Sequence, residues 1–288
     1  MNTSKPSPRA PALVAGLLLA ACTSGPPAER GVARGAVAQA MVGGSASTPA
    51  QDSAVMLVLP QMICTGSLIA PNLVLTARHC VAPERGKTGC PTFGDALAPA
   101  KISVRLGAAA TEDGEEVARG AKIALPDTAS MCTHDLALVE LDRDVPGVRP
   151  APLRFSELSA DEAVIAVGYG VGGDDEPRPS RMQRSATVLG VGPRPLRYTT
   201  RQGISIELDL PEGDVATGEA TCNGDSGGPL LDASGRVVGV TSRGVDEHIP
   251  EGGDHGNGCV DLPSLYAGVR FHEQLIRRAA EEAGHPLA

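Results

Sequence analysis

Residues 220–231 read Ala-Thr-Cys-Asn-Gly-Asp-Ser-Gly-Gly-Pro-Leu-Leu (ATCNGDSGGPLL). Ser226 stands between Asp225 and two glycines, and a proline with two leucines closes the run. Such a serine is either a nucleophile on a tight turn or one residue of a glycine-rich loop. Acyl transfer by a hydroxyl needs a base beside it and an acid that fixes the base's tautomer. The surrounding chain has to supply both.

The chain has 288 residues, enough for a substantial core. It has three Tyr, three Phe and no Trp, so the core rests on Val, Leu, Ile and Ala. With 35 Gly and 24 Pro, a chain of many turns and strands fits better than a helical one. The formal net charge is −9, although Lys5, Arg9, Arg30 and Arg34 outnumber Glu29 in the first 40 residues. An acidic body argues against a nucleic-acid partner.

From Ser53 onward, short apolar runs alternate with turn residues. Residues 54–59, 65–70, 73–77, 101–106, 137–141, 163–170, 204–210 and 236–242 read as strands, with a hairpin turn at Pro71-Asn72. One helix is predicted, over 271–284, with Phe271, Leu275, Ile276 and Ala279 on one face. Many short strands and one terminal helix indicate a barrel or sandwich class.

Lys5 and Arg9 precede an apolar stretch from Pro11 to Ala21 that is too short for an ordinary membrane span. It ends in Leu-Ala-Ala-Cys at 19–22, which resembles a bacterial lipobox. Residues 1–21 are read as a signal peptide, Cys22 as a lipidation site and 22–40 as a tether or propeptide; an ordinary signal peptide with a chance cysteine is the alternative. Six cysteines remain in the body, at 64, 80, 90, 132, 222 and 259. An even set in an exported chain implies disulfides, and the lack of a C-x-x-C pair argues against zinc.

Six histidines are available as bases: 79, 134, 248, 255, 272 and 285. His79 ends the strand-like LVLTARHC. Asp135 enters the strand of HDLALVEL, where it is expected half-buried. LTARHC, HDLALVEL and GDSGGPL, in that order, resemble the trypsin/chymotrypsin-like serine proteases. CTGSLIAPNLVLTARHC, VGYG at 167–170 and SRG at 242–244 extend the likeness over roughly Met41 to the C-terminus. The resemblance implies a protease domain over 41–288, all-β, built of two six-stranded antiparallel barrels and a C-terminal helix. It implies a serine endopeptidase with no cofactor.

The resemblance also assigns roles. Ser226 attacks, His79 is the base and Asp135 holds the imidazole. The N–H groups of Gly224 and Ser226 form the oxyanion hole, and Ser242 hydrogen-bonds near Asp135. Disulfides are expected between Cys64 and Cys80, Cys222 and Cys259, and Cys90 and Cys132. Met41-Val-Gly-Gly resembles the family's mature N-terminus, whose freed amine pairs with the aspartate before the nucleophile, here Asp225; a turn role for Asp225 is the alternative. Met41 stands where the family has Ile or Val, and Ala40 is not a tryptic site. Cleavage there severs the domain from Cys22.

Ala220 is expected at the base of the primary pocket, with Gly244 and Ser264 on its walls, which suits uncharged side chains. Two residues depart from the family. Arg78 stands where it has a small residue and must find space beside His79, and Arg243 stands where it has an aromatic. The acids Glu112, Asp113, Glu115 and Glu116 read as a solvated loop rather than a calcium site. The remaining classes are a non-catalytic relative acting as an envelope binding module and an esterase; GDSGG is not the G-x-S-x-G elbow of the latter. Partners are protein or peptide substrates, an activating protease and, through Cys22, a membrane.

Overall fold

The structure, a computed structural model, describes residues 1–2, 41, 43–86, 90–170, 180–245 and 259–287. Most of the predicted signal segment, Cys22 and the tether lie outside the described residues, as do Val42, His248, His255 and most of the 245–258 loop. Contacts separate residues 1–37 from 38–288, and every element named here belongs to the second unit.

The first half of that unit carries β1 (Ser45–Ala46), β2 (Ala54–Val58), β3 (Ile63–Ala70), β4 (Leu73–Thr76), α1 (Arg78–Val81), β5 (Glu84–Arg85), β6 (Thr92–Phe93), β7 (Ser103–Arg105), β8 (Ala118–Ala124), α2 (Met131–His134) and β9 (Ala137–Leu141). The second half carries β10 (Ala163–Gly168), β11 (Met182–Val191), β12 (Arg194–Thr199), β13 (Ser205–Leu210), β14 (Asp214–Thr217), β15 (Pro229–Asp232), β16 (Val237–Arg243), β17 (Ser264–Gly268) and α3 (Glu273–Glu282).

Two antiparallel barrels of six strands result. The first closes in the order β2-β3-β4-β9-β8-β7, with β7 returning to β2. The second runs β11-β10-β15-β16-β17-β14 and closes where β14 pairs with β11; β1 adds to β11 outside the ring. Closure removes the unpaired edges that an open sheet leaves exposed.

Each predicted strand has a counterpart, because an apolar run or apolar alternation marks a buried strand face. In β13 Ile206, Leu208 and Leu210 point inward while Ser205, Glu207 and Asp209 stay exposed. β3 is buried along its whole length, consistent with its apolar run. β8 and β11 have no such signature in sequence. β8 carries Arg119 and Lys122, and β11 carries Gln183 and Arg184. Their places are set by backbone hydrogen bonds to β9, β10 and β14 rather than by side-chain pattern.

The terminal helix is shorter than predicted. Ile276 and Ala280 are fully buried and pack into the large core cluster that spans both barrels. Phe271 corrects the predicted helix face: it lies before the helix and is 41% exposed. Its ring sits edge-on to His272 and covers Gly213 instead. β12 and β13 form a separate two-stranded ribbon, whose Ile206, Leu208 and Leu210 pack on Ala216, Leu262 and Leu265.

Candidate active site

α1 begins where β4 ends, and its second residue is His79. Asp135 stands between α2 and β9 and has no exposed surface. It was expected half-buried; the closed strand β9 and the second barrel's Ser242 enclose it completely. Both of its oxygens are engaged. Oδ1 accepts from the His79 backbone N–H at 2.9 Å, and Oδ2 lies 2.8 Å from His79 Nδ1. Ser242, in β16, donates its hydroxyl to the same Oδ2 at 2.6 Å. The carboxylate thus holds both backbone and ring of His79, which places the donor proton on Nδ1 and leaves Nε2 as acceptor.

Charge balance follows from this geometry. Burial works against a protonated His79, but the Asp135 carboxylate outweighs it and the imidazole pKa lies above its usual value. Glu84 pushes the same way and Arg243 opposes. For Asp135 burial favours the protonated form. The His79 ring and the Ser242 hydroxyl overcome it, and the carboxyl pKa lies below its usual value.

Ser226 lies in the turn before β15 and lines, together with His79, a cleft of about 640 Å³. The turn is fastened to the first barrel through Thr65. Its N–H donates to the Ser226 carbonyl at 2.8 Å and its hydroxyl to the Gly224 carbonyl at 3.0 Å. Gly227 has φ +80, and a β-carbon there would lie 2.1 Å from Thr76 Oγ1 and 2.3 Å from the Thr65 carbonyl. Only glycine lets this turn reach the first barrel so closely. Among the described residues the N–H groups of Gly224 and Ser226 have no hydrogen-bond partner. Unpaired donors beside a hydroxyl are what a developing oxyanion requires.

Asp225 is equally buried but differently served. Its oxygens accept from the N–H groups of Gly170 at 2.8 Å and Cys222 at 2.9 Å, and it makes no ion pair with any described residue. Burial pushes its pKa up to about 7, with the two backbone donors only partly opposing. A β-carbon would lie 2.1 Å from this carboxyl at Gly168 and 2.6 Å from it at Gly170, which accounts for both glycines in VGYG. The Met41 side chain is fully buried in the second barrel with Val164, Ala220 and Tyr266.

The pocket differs from its expected plan. Ala220 has no exposed surface and does not line the cleft; it packs behind the wall. Ser264 accepts from the N–H groups of Ala220 at 3.2 Å and Thr221 at 3.0 Å, which ties this segment to β17. Gly244 and Ser264 line the cleft as expected of pocket walls, and Thr221 joins them.

Arg78 is turned to a loop rather than to the imidazole. Its Nη1 donates to the carbonyls of Pro126 at 2.9 Å and Thr128 at 2.7 Å, and its guanidinium lies 4.9 Å from the centre of the Phe93 ring. Disulfides join Cys64 to Cys80, Cys90 to Cys132 and Cys222 to Cys259. Cys64 and Cys80 lie near His79, yet their sulfurs are bonded to one another and offer no thiolate for a metal. Of the acidic loop, Glu116 is taken up by Ser103, Arg105 and Arg119.

Residues 41–256 match the trypsin family, described as Trypsin. The chain belongs to the trypsin family. This protease is 26% identical over 243 residues to Seminase of Drosophila melanogaster, covering 82% of this chain and 80% of that one. It is 30% identical over 208 residues to Serine protease SP24D of Anopheles gambiae, covering 70% of each. A solved structure of neuropsin, a serine protease expressed in the limbic system of mouse brain, shares the fold. It has a TM-score of 0.58 and 22% identity, over 82% of this chain and 98% of that one. The protease is thus a serine endopeptidase, a hydrolase, and protein or peptide substrates fit the family. No helix among the described residues is long and apolar enough to cross a membrane.

Sequence reasoning missed Thr65, Asp214 and strand β12, which pairs with the predicted β13 into the ribbon that lends Leu208 and Leu210 to the cleft. Thr65 reads as an ordinary strand residue. Asp214 carried the same signal as Asp135, an acid leading an apolar strand.

Proposed function

We propose that the protease cleaves peptide bonds through Ser226, His79 and Asp135. The observation that carries this reading is the His79–Asp135 pair, with Nδ1 held at 2.8 Å and Ser226 lining the same cleft. The Ser226 Oγ–H proton passes to His79 Nε2 as Oγ bonds to the substrate carbonyl carbon. The carbonyl oxygen, now negative, is received by the N–H groups of Gly224 and Ser226. Collapse breaks the C–N bond, and the imidazolium returns its proton to the leaving amine. Water then repeats the sequence on the acyl-enzyme and frees the acid and Ser226. Thr221, Gly244 and Ser264, all uncharged, support a preference for an uncharged side chain on the acyl side of the cut.

The proposal includes a domain over 41–288 and activation by cleavage between Ala40 and Met41. In support, Asp225 is buried without a cation among the described residues, and the Met41 side chain is already seated in the second barrel. A freed ammonium at Met41 supplies the missing charge. Export agrees with three disulfides. A lipid on Cys22, after removal of residues 1–21, would hold the precursor in a bacterial envelope until the same cut releases it.

Labelling with a fluorophosphonate tests both parts. A chain beginning at Met41 is expected to label at Ser226, one beginning at Thr23 to label at least tenfold more slowly, and Ser226→Ala to label in neither form. Equal labelling of both forms discards the switch. Absence of labelling in a folded Met41 form discards the triad reading.

A further inference from the structure

Arg243 stands beside the triad and has no role in the scheme above. It follows Ser242 in β16, and its side chain is only 17% exposed. Its Nη2 pairs with the fully buried carboxylate of Asp214 and lies 3.8 Å from Cys132 Sγ. Its Nη1 donates to the Ser242 hydroxyl at 3.3 Å. Asp214 uses its other oxygen to accept the Thr133 N–H at 3.0 Å. Thr133 has φ +76, and its carbonyl accepts from His272 Nε2 at 2.7 Å. Asp135 is two residues further on. Asp214 therefore ties together the loop that carries Asp135 and the arginine that touches Ser242.

A hydroxyl has one proton and two lone pairs, and a guanidinium can only donate. With Arg243 donating into the Ser242 oxygen, the single Ser242 proton is committed to Asp135 Oδ2. Arg243 cannot swing away without leaving a buried, unpaired carboxylate at Asp214. We infer that Arg243, held by Asp214, is a positioning residue for the Asp135–His79 pair: it fixes the Ser242 proton on Asp135 and sets a positive charge against protonation of His79. This rests on the reading of His79 as the base. The charged groups facing His79 are Asp135, Glu84 and Arg243, and those facing Asp135 are His79, Arg78, Asp214 and His272.

The test follows the His79 imidazole by NMR titration in the full-length chain, beside the pH profile of kcat/KM. Arg243→Gln is expected to raise the proton affinity of His79 about threefold and to move the acid limb to higher pH. Asp214→Asn leaves the guanidinium uncompensated and moves both to lower pH. The double variant R243Q/D214N returns near the wild-type midpoint. Opposite shifts from two neighbouring substitutions are a charge effect that mere loosening does not produce. Shifts of the same sign, or an unmoved midpoint in Arg243→Gln, overturn the inference. If Arg243→Gln does not fold, Asp214→Asn against the double variant reads the same arginine. Equal midpoints there overturn the inference, and a higher one in the double variant supports it. The titration needs no turnover, so failure of wild-type labelling defeats the triad reading while the midpoints still decide Arg243.

Discussion

Asp135 and Asp225 are both fully buried aspartates, and their carboxyls move in opposite directions. Asp135 meets an imidazole, a hydroxyl and a backbone N–H, and its pKa falls. Asp225 meets two backbone N–H groups and no cation among the described residues, and its pKa climbs to about 7. Burial pushes both carboxyls up; at Asp135 the imidazole and the donated hydrogen bonds outweigh it, whereas at Asp225 two backbone donors do not. One carboxylate has a cation-forming partner beside it. The other has two backbone donors only, and the proposed cut before Met41 is what would bring it an ammonium.

The largest effect is expected from Asp135→Asn, which removes the acceptor that fixes the His79 tautomer. At neutral pH kcat should fall by about 10⁴ with the fold retained by circular dichroism. His79 then loses the group that raises its pKa, so any residual activity should show its acid limb at lower pH than wild type. In the wild type that limb should lie above about 6.5, because His79 must be neutral to act and is held above its usual value.

The next effect concerns stability. The folded-state pKa of Asp225 is above that of the unfolded chain, so its favourable contribution is complete below about pH 4 and is lost as pH rises through about 7. Uncleaved protein should therefore lose on the order of 4 kcal/mol between those limits on this account, read from urea unfolding at several pH values. Asp225→Asn should abolish this slope even if it lowers stability throughout, since a carboxamide serves only one of the two N–H donors. Cleavage before Met41 should flatten the slope in the otherwise native chain. An unchanged slope after cleavage would sever Met41 from Asp225.

The smallest effect is expected from Ser242→Ala. It removes one of three donors to Asp135 while His79 keeps both of its own bonds. A hydrogen bond to a charged group is worth about 1.5–3 kcal/mol, so kcat/KM should fall by about 10-fold and no more than about 100-fold. A loss as large as that of Asp135→Asn would mean that the hydroxyl, not the imidazole, holds the carboxylate in place.

The legible parts of this molecule are those in which local chemistry restricts the residue. GDSGGP is readable because a turn pressed against Thr65 and Thr76 admits only glycine at 227. The strands with buried inner faces are readable because alternation marks them, as in β13. β8 and β11 were invisible because charged side chains face water while the backbone closes the ring. The burial of Ala220 was not legible, because the Ser264 hydroxyl that takes its N–H comes from a strand 44 residues away.

The sequence by itself determined the barrel class and the order of the residues proposed as base, acid and nucleophile, since each stands in a short motif with its own turn or strand. Only the tertiary structure decided what those actors meet. Ser242 reaches Asp135 across 107 residues, Thr65 reaches the Gly224 carbonyl across 159, and Asp214 reaches Thr133 across 81. Such pairings leave no periodic trace in a chain. They arise when two closed barrels bring distant side chains into one desolvated seam, where each buried polar group must find a partner.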